Sequence, residues 1–472
     1  MKEDSSKRGN GGRKRSKGKT KLFWKFHSWC GIYSGGFLAF VIITGAVAVF
    51  KNDIYIWENR KLAVVDATEL DVSKLGEMIE SACQAIPGKP DHFHMDVVAL
   101  PADPKHALRV SVSNPEGFGN PFSIFNRPWL AYSIFIHPQS GEVLGVSDDE
   151  RSIAGYLRSL HVRLFATTPG RYFVGFFGFT MLVSVAAGLV ILSKFLGRKA
   201  LWVIRNRTLR LIATDWHMLI GAVLSIPALM FAITGFWLGF QRPLMDAFSI
   251  KDPARFSREE VMAPSKDLAM KVDYVKALER VEAAYPGFIP RLIIPSSHGE
   301  RTLKFRGDTR GMVYQEKSQT VVLDKADLSV LFVHNTHDSD AGAKLYFLQE
   351  GLHFGRFWGN WVQWVYLIGG LLIGLLPLSG YVIARLRRKE SLAPVVRWVV
   401  FASVYSVLML VIVRVFGIVV AMAYGFVMLA LFLLVLLVWA VVRWWKKKHG
   451  GSPPLLLPFD PESYLASVGR HQ

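Results

Sequence analysis

Two histidines occupy matching positions in two apolar stretches of the sequence. Residues 26–45, FHSWCGIYSGGFLAFVIITG, align without a gap with residues 216–235, WHMLIGAVLSIPALMFAITG. The alignment sets His27 opposite His217, and both stretches end in Thr-Gly. Self-similarity of this kind indicates an internal duplication.

A second pair of histidines matches at nearly the same offset. His161 lies in SLHVRLF and His353 lies in GLHFGRF, each ahead of a further apolar run. Each half of the duplication then reads as a span, an outside segment and a second span. Because a half holds an even number of spans, the two copies share one orientation and are related by a pseudo-twofold axis along the membrane normal.

The paired histidines suit the axial coordination of haem iron. Equivalent residues lie at one depth on opposite sides of the axis, so each pair offers one imidazole to each face of a haem on that axis. We expect His27 and His217 to hold an inner haem, and His161 and His353 to hold an outer one. Two alternatives stay open from the spacing alone. The duplication copied histidines that sit in the polar interface or pack between helices, or the pairs bind another metal.

The composition places these histidines in a membrane protein. The chain is 51% hydrophobic, with 32 Phe and 14 Trp among 472 residues, which excludes an ordinary soluble protein. We read the first apolar run as a retained helix, because it is longer than the apolar part of a cleaved signal peptide. Runs of roughly 20 apolar residues, enough to cross about 30 Å of hydrocarbon, fall near 30–50, 173–193, 217–240, 361–384, 395–417 and 420–442.

The formal net charge of +19 comes from basic segments that flank the spans. This distribution indicates a membrane protein and not a nucleic-acid-binding domain, and the positive-inside rule places the basic segments in the cytoplasm. Both termini are then cytoplasmic, and two long segments, about 55–160 and 242–350, lie outside. The basic N-terminal tail is expected to touch anionic lipid.

Each outside segment carries the pattern of a small α+β domain. In the first, residues 71–86 have helical spacing of apolar positions, and 108–112 and 132–144 alternate as strands around a turn. The second repeats this order, with a helix at 272–286 and a strand hairpin at 319–331.

The predicted fold is therefore a polytopic α-helical membrane protein. A duplicated span–outside domain–span unit carries two small α+β domains outside the membrane, and a two-helix hairpin follows at the C-terminus. The predicted segments are a basic cytoplasmic tail (1–20), the first span (21–50), the first outside domain (51–160), the second span with its outer lead-in (161–195), a cytoplasmic loop (196–214), the third span (215–240), the second outside domain (241–352), the fourth span with its outer lead-in (353–385), the fifth span (395–417), the sixth span (420–443) and a cytoplasmic tail (444–472).

Polar and small residues within the spans receive structural interpretations. The pairs Thr44–Gly45 and Thr234–Gly235 are expected to be small-residue contacts between helices. Arg414 lies near the outer end of the fifth span, where a snorkelling side chain is expected.

Apart from the histidine pairs, the sequence offers few candidate residues for a metal site. The topology separates Cys30, near the cytoplasmic face, from Cys83 outside, so neither an iron–sulfur site nor a zinc site can be built from them. The outside loop HNTHDSD, residues 334–340, has two readings: a site that binds a metal or docks a ferric substrate, or an ordinary solvated loop.

The helix WHMLIGAVLSIPALMFAITGFWLGF, the LH dipeptides ahead of the second and fourth spans, and YSIFIHPQSGEVL resemble the family of bacterial PepSY-associated transmembrane-helix proteins. The resemblance covers about residues 20–388, so the fifth and sixth spans lie outside it. It implies PepSY-like periplasmic domains, a place in the bacterial inner membrane and, from characterised members, haem b and the reduction of iron-siderophores. It also implies that His27, His217, His161 and His353 match the family's histidine positions.

Three arginines lie near the outer histidines in the sequence. Arg163, Arg171 and Arg356 offer planar guanidinium donors that suit haem propionates. Anchoring at the membrane edge is an equally good reading of their positions.

These features lead to one functional hypothesis and two alternatives. The hypothesis is a di-haem electron conduit that passes electrons from the cytoplasmic side to a ferric siderophore, or another ferric complex, in the periplasm. No dinucleotide-binding or phosphate-binding glycine motif is visible, so a separate cytoplasmic reductase or quinol would supply the electrons, and no catalytic residue is assigned. One alternative is a non-redox membrane protein whose PepSY-like domains bind peptides or modulate a peptidase. The other is an iron or siderophore transporter, against which the small number of midplane acidic residues counts.

Overall fold

The computed structural model describes residues 8–86, 93–113, 131–194, 202–205, 207–250, 272–295, 302–311, 313 and 316–449. Parts of the predicted tails (1–20 and 444–472) and of the cytoplasmic loop (196–214) lie outside these residues. The helices are α1 (Arg8–Tyr33), α2 (Gly35–Ala48), α3 (Lys51–Glu58), α4 (Arg60–Ala63), α5 (Leu75–Gln84), α6 (Ile153–Arg163), α7 (Thr167–Leu192), α8 (Leu209–Ala247), α9 (Tyr274–Ala284), α10 (Ala341–Phe354), α11 (Asn360–Arg387), α12 (Ala393–Phe416) and α13 (Ile418–His449).

Among the described residues, five helices are long and apolar enough to cross a membrane: α7, α8, α11, α12 and α13. A sixth apolar stretch is formed by α1 and α2 together, but the chain bends by 71° between them. The bend falls at Ser34, whose hydroxyl donates to the carbonyl of Cys30 (2.6 Å), and Gly35 and Gly36 follow it. Serine back-bonding and adjacent glycines are common causes of helix bends. The first predicted span, 21–50, is therefore not one straight helix.

The first helix of each half packs against the second helix of the other half. Helix α2 lies against α11, where a Cβ built on Gly370 would be 2.8 Å from the Cβ of Ala46. Helix α8 lies against α7, where a Cβ built on Gly175 would be 2.9 Å from the Cα of Gly239. Glycines allow these backbones to approach closely, as is usual between membrane helices.

The outside segments form one antiparallel sheet in the order β4-β3-β2-β1-β5-β6-β7-β8. The central pair joins the two halves, with Val98 opposite Ile293. Separate domains were predicted, and this junction makes them one unit, because β1 and β5 satisfy each other's open backbone edge. The strands are β1 (His94–Ala99), β2 (Leu108–Ser113), β3 (Ala131–Ile136), β4 (Val143–Asp148), β5 (Ile289–Pro295), β6 (Thr302–Asp308), β7 (Gln319–Asp324) and β8 (Val330–His334).

One hydrophobic core lies between this sheet and helices α5 and α9. Leu75 and Met78 of α5, and Val281 of α9, are almost fully buried against the strands. The helices predicted at 71–86 and 272–286 are confirmed, although the observed helices are shorter, Leu75–Gln84 and Tyr274–Ala284. Both halves thus contribute one helix and four strands to a shared core.

The C-terminal hairpin consists of α12 and α13, which meet at Gly417, where φ is +90°. Arg414, in the last turn of α12, has a half-exposed side chain, and its expected snorkelling stays a prediction. Its guanidinium pairs with the carboxylate of Glu58 and donates to the carbonyl of Arg151 (2.9 Å). The hairpin is therefore connected to α3, which contains Glu58, and to the residues just ahead of α6, which include Arg151.

Candidate functional site

Both predicted histidine pairs come together in the structure. His27 of α1 and His217 of α8 have ring centroids 5.9 Å apart. His161 of α6 and His353 of α10 have ring centroids 6.2 Å apart. The two members of each pair come from different halves of the chain, as a twofold relationship requires.

The spacing within each pair fits two imidazoles on one metal ion. A nitrogen ligand lies roughly 2 Å from a first-row metal, so two imidazoles on opposite sides of an iron have ring centroids about 6 Å apart. The rings of the inner pair are inclined at 76° and those of the outer pair at 23°. Either inclination is acceptable, because an imidazole can rotate about its bond to the metal.

In the inner pair, Nδ1 of each ring is held by a hydrogen bond. Nδ1 of His27 lies 2.9 Å from the carbonyl oxygen of Ser184. Nδ1 of His217 lies 2.9 Å from the hydroxyl of Ser379, which itself donates to the carbonyl of Leu376 (2.9 Å). The carbonyl of Ser184 can only accept a hydrogen bond. The hydroxyl of Ser379 already donates its proton to Leu376, so it accepts from His217. Both Nδ1 atoms therefore carry the proton.

In the outer pair, Nδ1 is held in the same way. Nδ1 of His161 donates to the carbonyl of Val41 (3.0 Å). Nδ1 of His353 lies 2.8 Å from the hydroxyl of Thr234. Among the described residues, Nε2 has no hydrogen-bond partner in any of the four histidines. Each ring therefore keeps a free Nε2 lone pair, as a metal-ligating histidine with its second nitrogen anchored does.

Each histidine ring also lies against a glycine of a neighbouring helix. A Cβ built on each glycine would lie within 4 Å of the nearest ring carbon; only at Gly45 is it so close that the ring would have to move. The distance from this added Cβ to Cε1 of the ring is 3.3 Å for Gly188 and His27, 3.5 Å for Gly380 and His217, 2.5 Å for Gly45 and His161, and 3.7 Å for Gly235 and His353. The glycines leave room for the imidazoles between the helices.

These contacts change the interpretation of the two Thr-Gly pairs. Gly235 does serve helix packing, since a Cβ on Gly178 would lie 3.0 Å from its carbonyl carbon. Thr234 and Gly45, however, contact the outer histidines directly. The expected contacts between helices are present, and through them these residues also touch the outer histidines. In the sequence, only the alignment of Thr44 with Thr234 and of Gly45 with Gly235 could have indicated that these residues lie beside the outer histidines.

The two histidine pairs lie at opposite ends of the helical bundle. His217 and Gly235, the glycine behind His353, are both on α8 and are eighteen residues apart. That separation corresponds to roughly 27 Å along the helix axis. The inner and outer pairs are therefore two distinct sites.

Helix α6 brings His161 back to the outer end of α2. The helix ends at Leu164 and Phe165, whose φ angles are +48° and +59°. This left-handed turn separates α6 from α7 and lets α6 pack against both α7 and α2. The ring reaches the carbonyl of Val41 and the backbone at Gly45.

The three predicted arginines differ in how their donors are used. Arg171 is committed to the protein, because Nε and Nη2 both bond to the carbonyl of Leu238 (2.9 and 2.5 Å). Arg163 has a buried Nε without a partner in the described part of the chain. Arg356 pairs with Glu316 through Nη1 (3.0 Å), and its buried Nη2 has no partner there. Arg163 and Arg356 thus retain buried donors that suit a carboxylate ligand.

Further charged groups surround the outer side of this site. Burial, followed by the positive charges of Arg356 and Arg158, lowers the pKa of Lys51 to about 8. Its ammonium lies 5.7 Å from the ring centroid of Phe354, the residue after His353. Burial raises the pKa of Glu350, and nearby Arg306 and Lys51 oppose that shift. The region outside the outer pair is therefore mainly cationic.

The outer loop 334–340 has structural contacts. Asp340 caps α10 by accepting from the backbone N–H of Ala343 (2.8 Å), and His337 lies 2.9 Å from the hydroxyl of Thr309. His334 is buried against the ring of Phe347. These contacts order the start of the helix that carries His353.

The chain is 27% identical over 258 residues to Uncharacterized protein PA4219 of Pseudomonas aeruginosa. That match covers 50% of this chain and 64% of the relative, so the chain spans just under two thirds of the relative's length. The family described as PepSY-associated TM region matches residues 24–388, which include all four histidines and most of the chain. The chain therefore belongs to the PepSY-associated TM family.

Proposed function

We propose that this protein is a di-haem transmembrane electron conduit that reduces a ferric siderophore, or another ferric complex, outside the bacterial inner membrane. Its electron donor would be a separate cytoplasmic reductase or quinol. Both termini would lie in the cytoplasm, because the basic segments flank the spans on that side. The enzyme class is an oxidoreductase, and the prosthetic groups are two haems b.

The observation that carries the proposal is the state of the four histidines. Each has Nδ1 held by an acceptor and Nε2 without a protein partner among the described residues, and each faces a second histidine at about 6 Å between ring centroids, the spacing of two axial ligands. Packing histidines would not need the same anchoring four times. Interfacial histidines would not need to meet in pairs.

The residues then have defined tasks. His27 and His217 would hold the inner haem, and His161 and His353 the outer one. When bound, the haems supply one-electron redox chemistry between Fe(III) and Fe(II). The hydrogen bonds that Nδ1 donates orient the imidazoles and increase their basicity. Arg163 and Arg356 would bind the propionates of the outer haem through their free donors.

The duplicated arrangement is part of this proposal. It is supported by the reciprocal packing of α2 on α11 and of α8 on α7, and by the two four-stranded halves of the sheet. A twofold axis between the halves would pass between the members of each histidine pair.

The substrate class follows from iron chemistry and from the charge of the outer side. Hard oxygen donors suit Fe(III) better than Fe(II), so one-electron reduction weakens the hold of an oxygen-donor chelator on its iron. The cationic groups around Lys51 and Arg356 would attract an anionic ferric chelate.

The proposal is tested by the absorption spectrum of the purified full-length protein. We expect two haems per chain, with a Soret band that shifts and sharpens on reduction. His27→Ala and His217→Ala should each remove the same haem, and His161→Ala and His353→Ala should each remove the other. His137→Ala, in an outside turn, is the matched control and should keep both.

Two results would overturn the proposal. A wild-type protein without haem would favour the peptide-binding or transport alternatives. Loss of both haems from every one of the four variants, with His137→Ala intact, would refute the assignment of pairs.

A further inference from the structure

The C-terminal hairpin lies outside the family match and contacts the segment that carries His161. Tyr156, Leu160 and Phe165, in and just after α6, are buried against Met409 and Val413 of α12. Leu160 immediately precedes His161 in the sequence. The apolar face of α6 is thus covered by the hairpin, while its histidine points to the bundle.

Hydrogen bonds connect the hairpin to both ends of this contact. The hydroxyl of Tyr405 donates to the carbonyl of Leu164 (2.7 Å), and the hydroxyl of Tyr156 donates to the carbonyl of Ser406 (2.8 Å). Leu164 is the left-handed residue that ends α6. Side chains other than glycine rarely adopt this conformation, so it depends on contacts from outside the turn.

The backbone of α13 also touches this turn. A Cβ built on Gly425 would lie 2.5 Å from the Cβ of Phe165 and 2.7 Å from its carbonyl carbon. Phe165 is fully buried. No side chain fits between α13 and the turn, so α13 packs directly against the backbone that ends α6.

The beginning of α6 is tied to the hairpin by two carboxylates. Glu58 accepts from the backbone N–H of Ile153 (2.8 Å), the first residue of α6, and also pairs with Arg414 of α12. Glu150, just ahead of α6, packs against the junction of α12 and α13, since a Cβ built on Gly417 would lie 3.7 Å from its Cβ and 3.8 Å from its Oε2. Both ends of α6 are thereby fixed to the hairpin.

The partner helix α10 is held differently. Asp340 caps its first turn, and the hydroxyl of Tyr366, in α11, donates to the carbonyl of Leu352 (2.7 Å). These contacts belong to the second half of the bundle. The hairpin therefore acts on one member of the outer histidine pair.

We propose that the α12–α13 hairpin is a positioning element for His161 and sets the coordination of the outer site. It holds α6 through Tyr405, Arg414 and the close approach at Gly425, and so fixes the distance and inclination of His161 relative to His353. The inference rests on the proposed function in one respect, namely that the outer pair binds haem.

The test uses full-length purified protein and two variants of the hairpin. Gly425→Val should push α13 away from Phe165, and Tyr405→Phe removes a single hydroxyl. Gly369→Val is the matched control, because a Cβ on Gly369 of α11 meets nothing within 4 Å. The measurements are a redox titration and the reduced visible spectrum, with His353→Ala identifying the outer haem.

We expect the midpoint potential and the visible bands of the outer haem to shift in Gly425→Val, with partial loss of that haem. Tyr405→Phe should give a smaller shift of the same haem. The inner haem, and both haems of Gly369→Val, should match the wild type.

The inference is overturned if the outer haem is unchanged in both hairpin variants, or if both haems shift equally. Should Gly425→Val fail to fold, the Tyr405→Phe result decides alone. A wild-type protein without haem would instead refute the proposed function, and the inference with it, before any variant is compared.

Discussion

Nδ1 of His353 lies 2.8 Å from the hydroxyl oxygen of Thr234, and that hydroxyl donates to the carbonyl of Met230. The hydroxyl proton is therefore committed within α8, and Thr234 serves the imidazole as an acceptor. The contact joins a residue of the first helix of the second half to a histidine 119 residues later. It fixes the ring and its tautomer together.

Replacing Thr234 by valine tests this role, because valine keeps the shape and loses the acceptor. We expect Thr234→Val to lower the affinity for the outer haem about 10- to 100-fold, the usual effect of removing such a partner. Haem retention during titration with a competing apo-protein measures it. Thr180→Val is the control, since the hydroxyl of Thr180 bonds only within its own helix, to Phe177. Equal retention in the two variants would contradict the role.

The glycines behind the histidines predict a graded response to one added methyl group. Gly45→Ala places a Cβ 2.5 Å from a carbon of the His161 ring, whereas Gly235→Ala places it 3.7 Å from His353. Overpacking of this kind typically costs about 1–3 kcal/mol. We therefore expect Gly45→Ala to lose most of the outer haem and Gly235→Ala to lose little, with Gly369→Ala unaffected. Spectral quantitation of haem per chain decides, and a larger loss from Gly235→Ala than from Gly45→Ala would refute the ordering.

The buried Nη2 of Arg356 predicts a requirement for the guanidinium shape. Arg356→Lys keeps the positive charge beside Glu316 but removes the second donor nitrogen. We expect weaker retention of the outer haem and an unchanged inner haem. Glu316→Gln serves as the control, since it removes the ion pair and leaves the guanidinium in place. If Arg356→Lys retains the outer haem as firmly as the wild type does, the donor has no role in binding it.

Glu150 predicts a pH dependence of stability. Burial raises its pKa to about 8, against the opposing hydrogen bonds from Val419 and Ile418. The folded protein then keeps a proton that the unfolded chain has lost above its ordinary pKa of 4.5. Stability should be highest below that value and decrease as the pH rises towards 8, by up to about 1.4 kcal/mol per pH unit.

Glu150→Gln should remove that slope, because glutamine stays neutral over the whole pH range. Unfolding midpoints in detergent between pH 4.5 and 8 measure it. The exposed Glu142→Gln should retain the wild-type slope. Parallel slopes for wild type and Glu150→Gln would show that Glu150 does not titrate in this range.

Much of the architecture followed from local pattern. Apolar runs long enough to cross a membrane must hydrogen-bond within themselves, so helices such as α7 and α11 were predictable from hydropathy. The helices α5 and α9 and the hairpins of the sheet were predictable from periodicity. The strands β1 and β5 were not, because their pairing joins residues about 195 positions apart and depends on both halves being folded, as at Val98 and Ile293.

The candidate site divides in the same way. The residue types and the two matched offsets were sufficient to propose that His27 meets His217 and that His161 meets His353, because a duplication imposes equivalence on the copies. The sequence alone could not assign the partner of each Nδ1. The acceptor for His27 is a carbonyl of Ser184, 157 residues away, and a backbone carbonyl has no signature in the sequence.

The sequence by itself determined the membrane class, the apolar spans and the histidine pairing, since these depend on residue type, period and repeat. Only the tertiary structure decided the bend at Ser34, the single sheet and the partner of Arg414, which is Glu58, 356 residues earlier. Such contacts depend on how helices approach one another in three dimensions. Packing between distant segments, and not local preference, therefore orients the histidines.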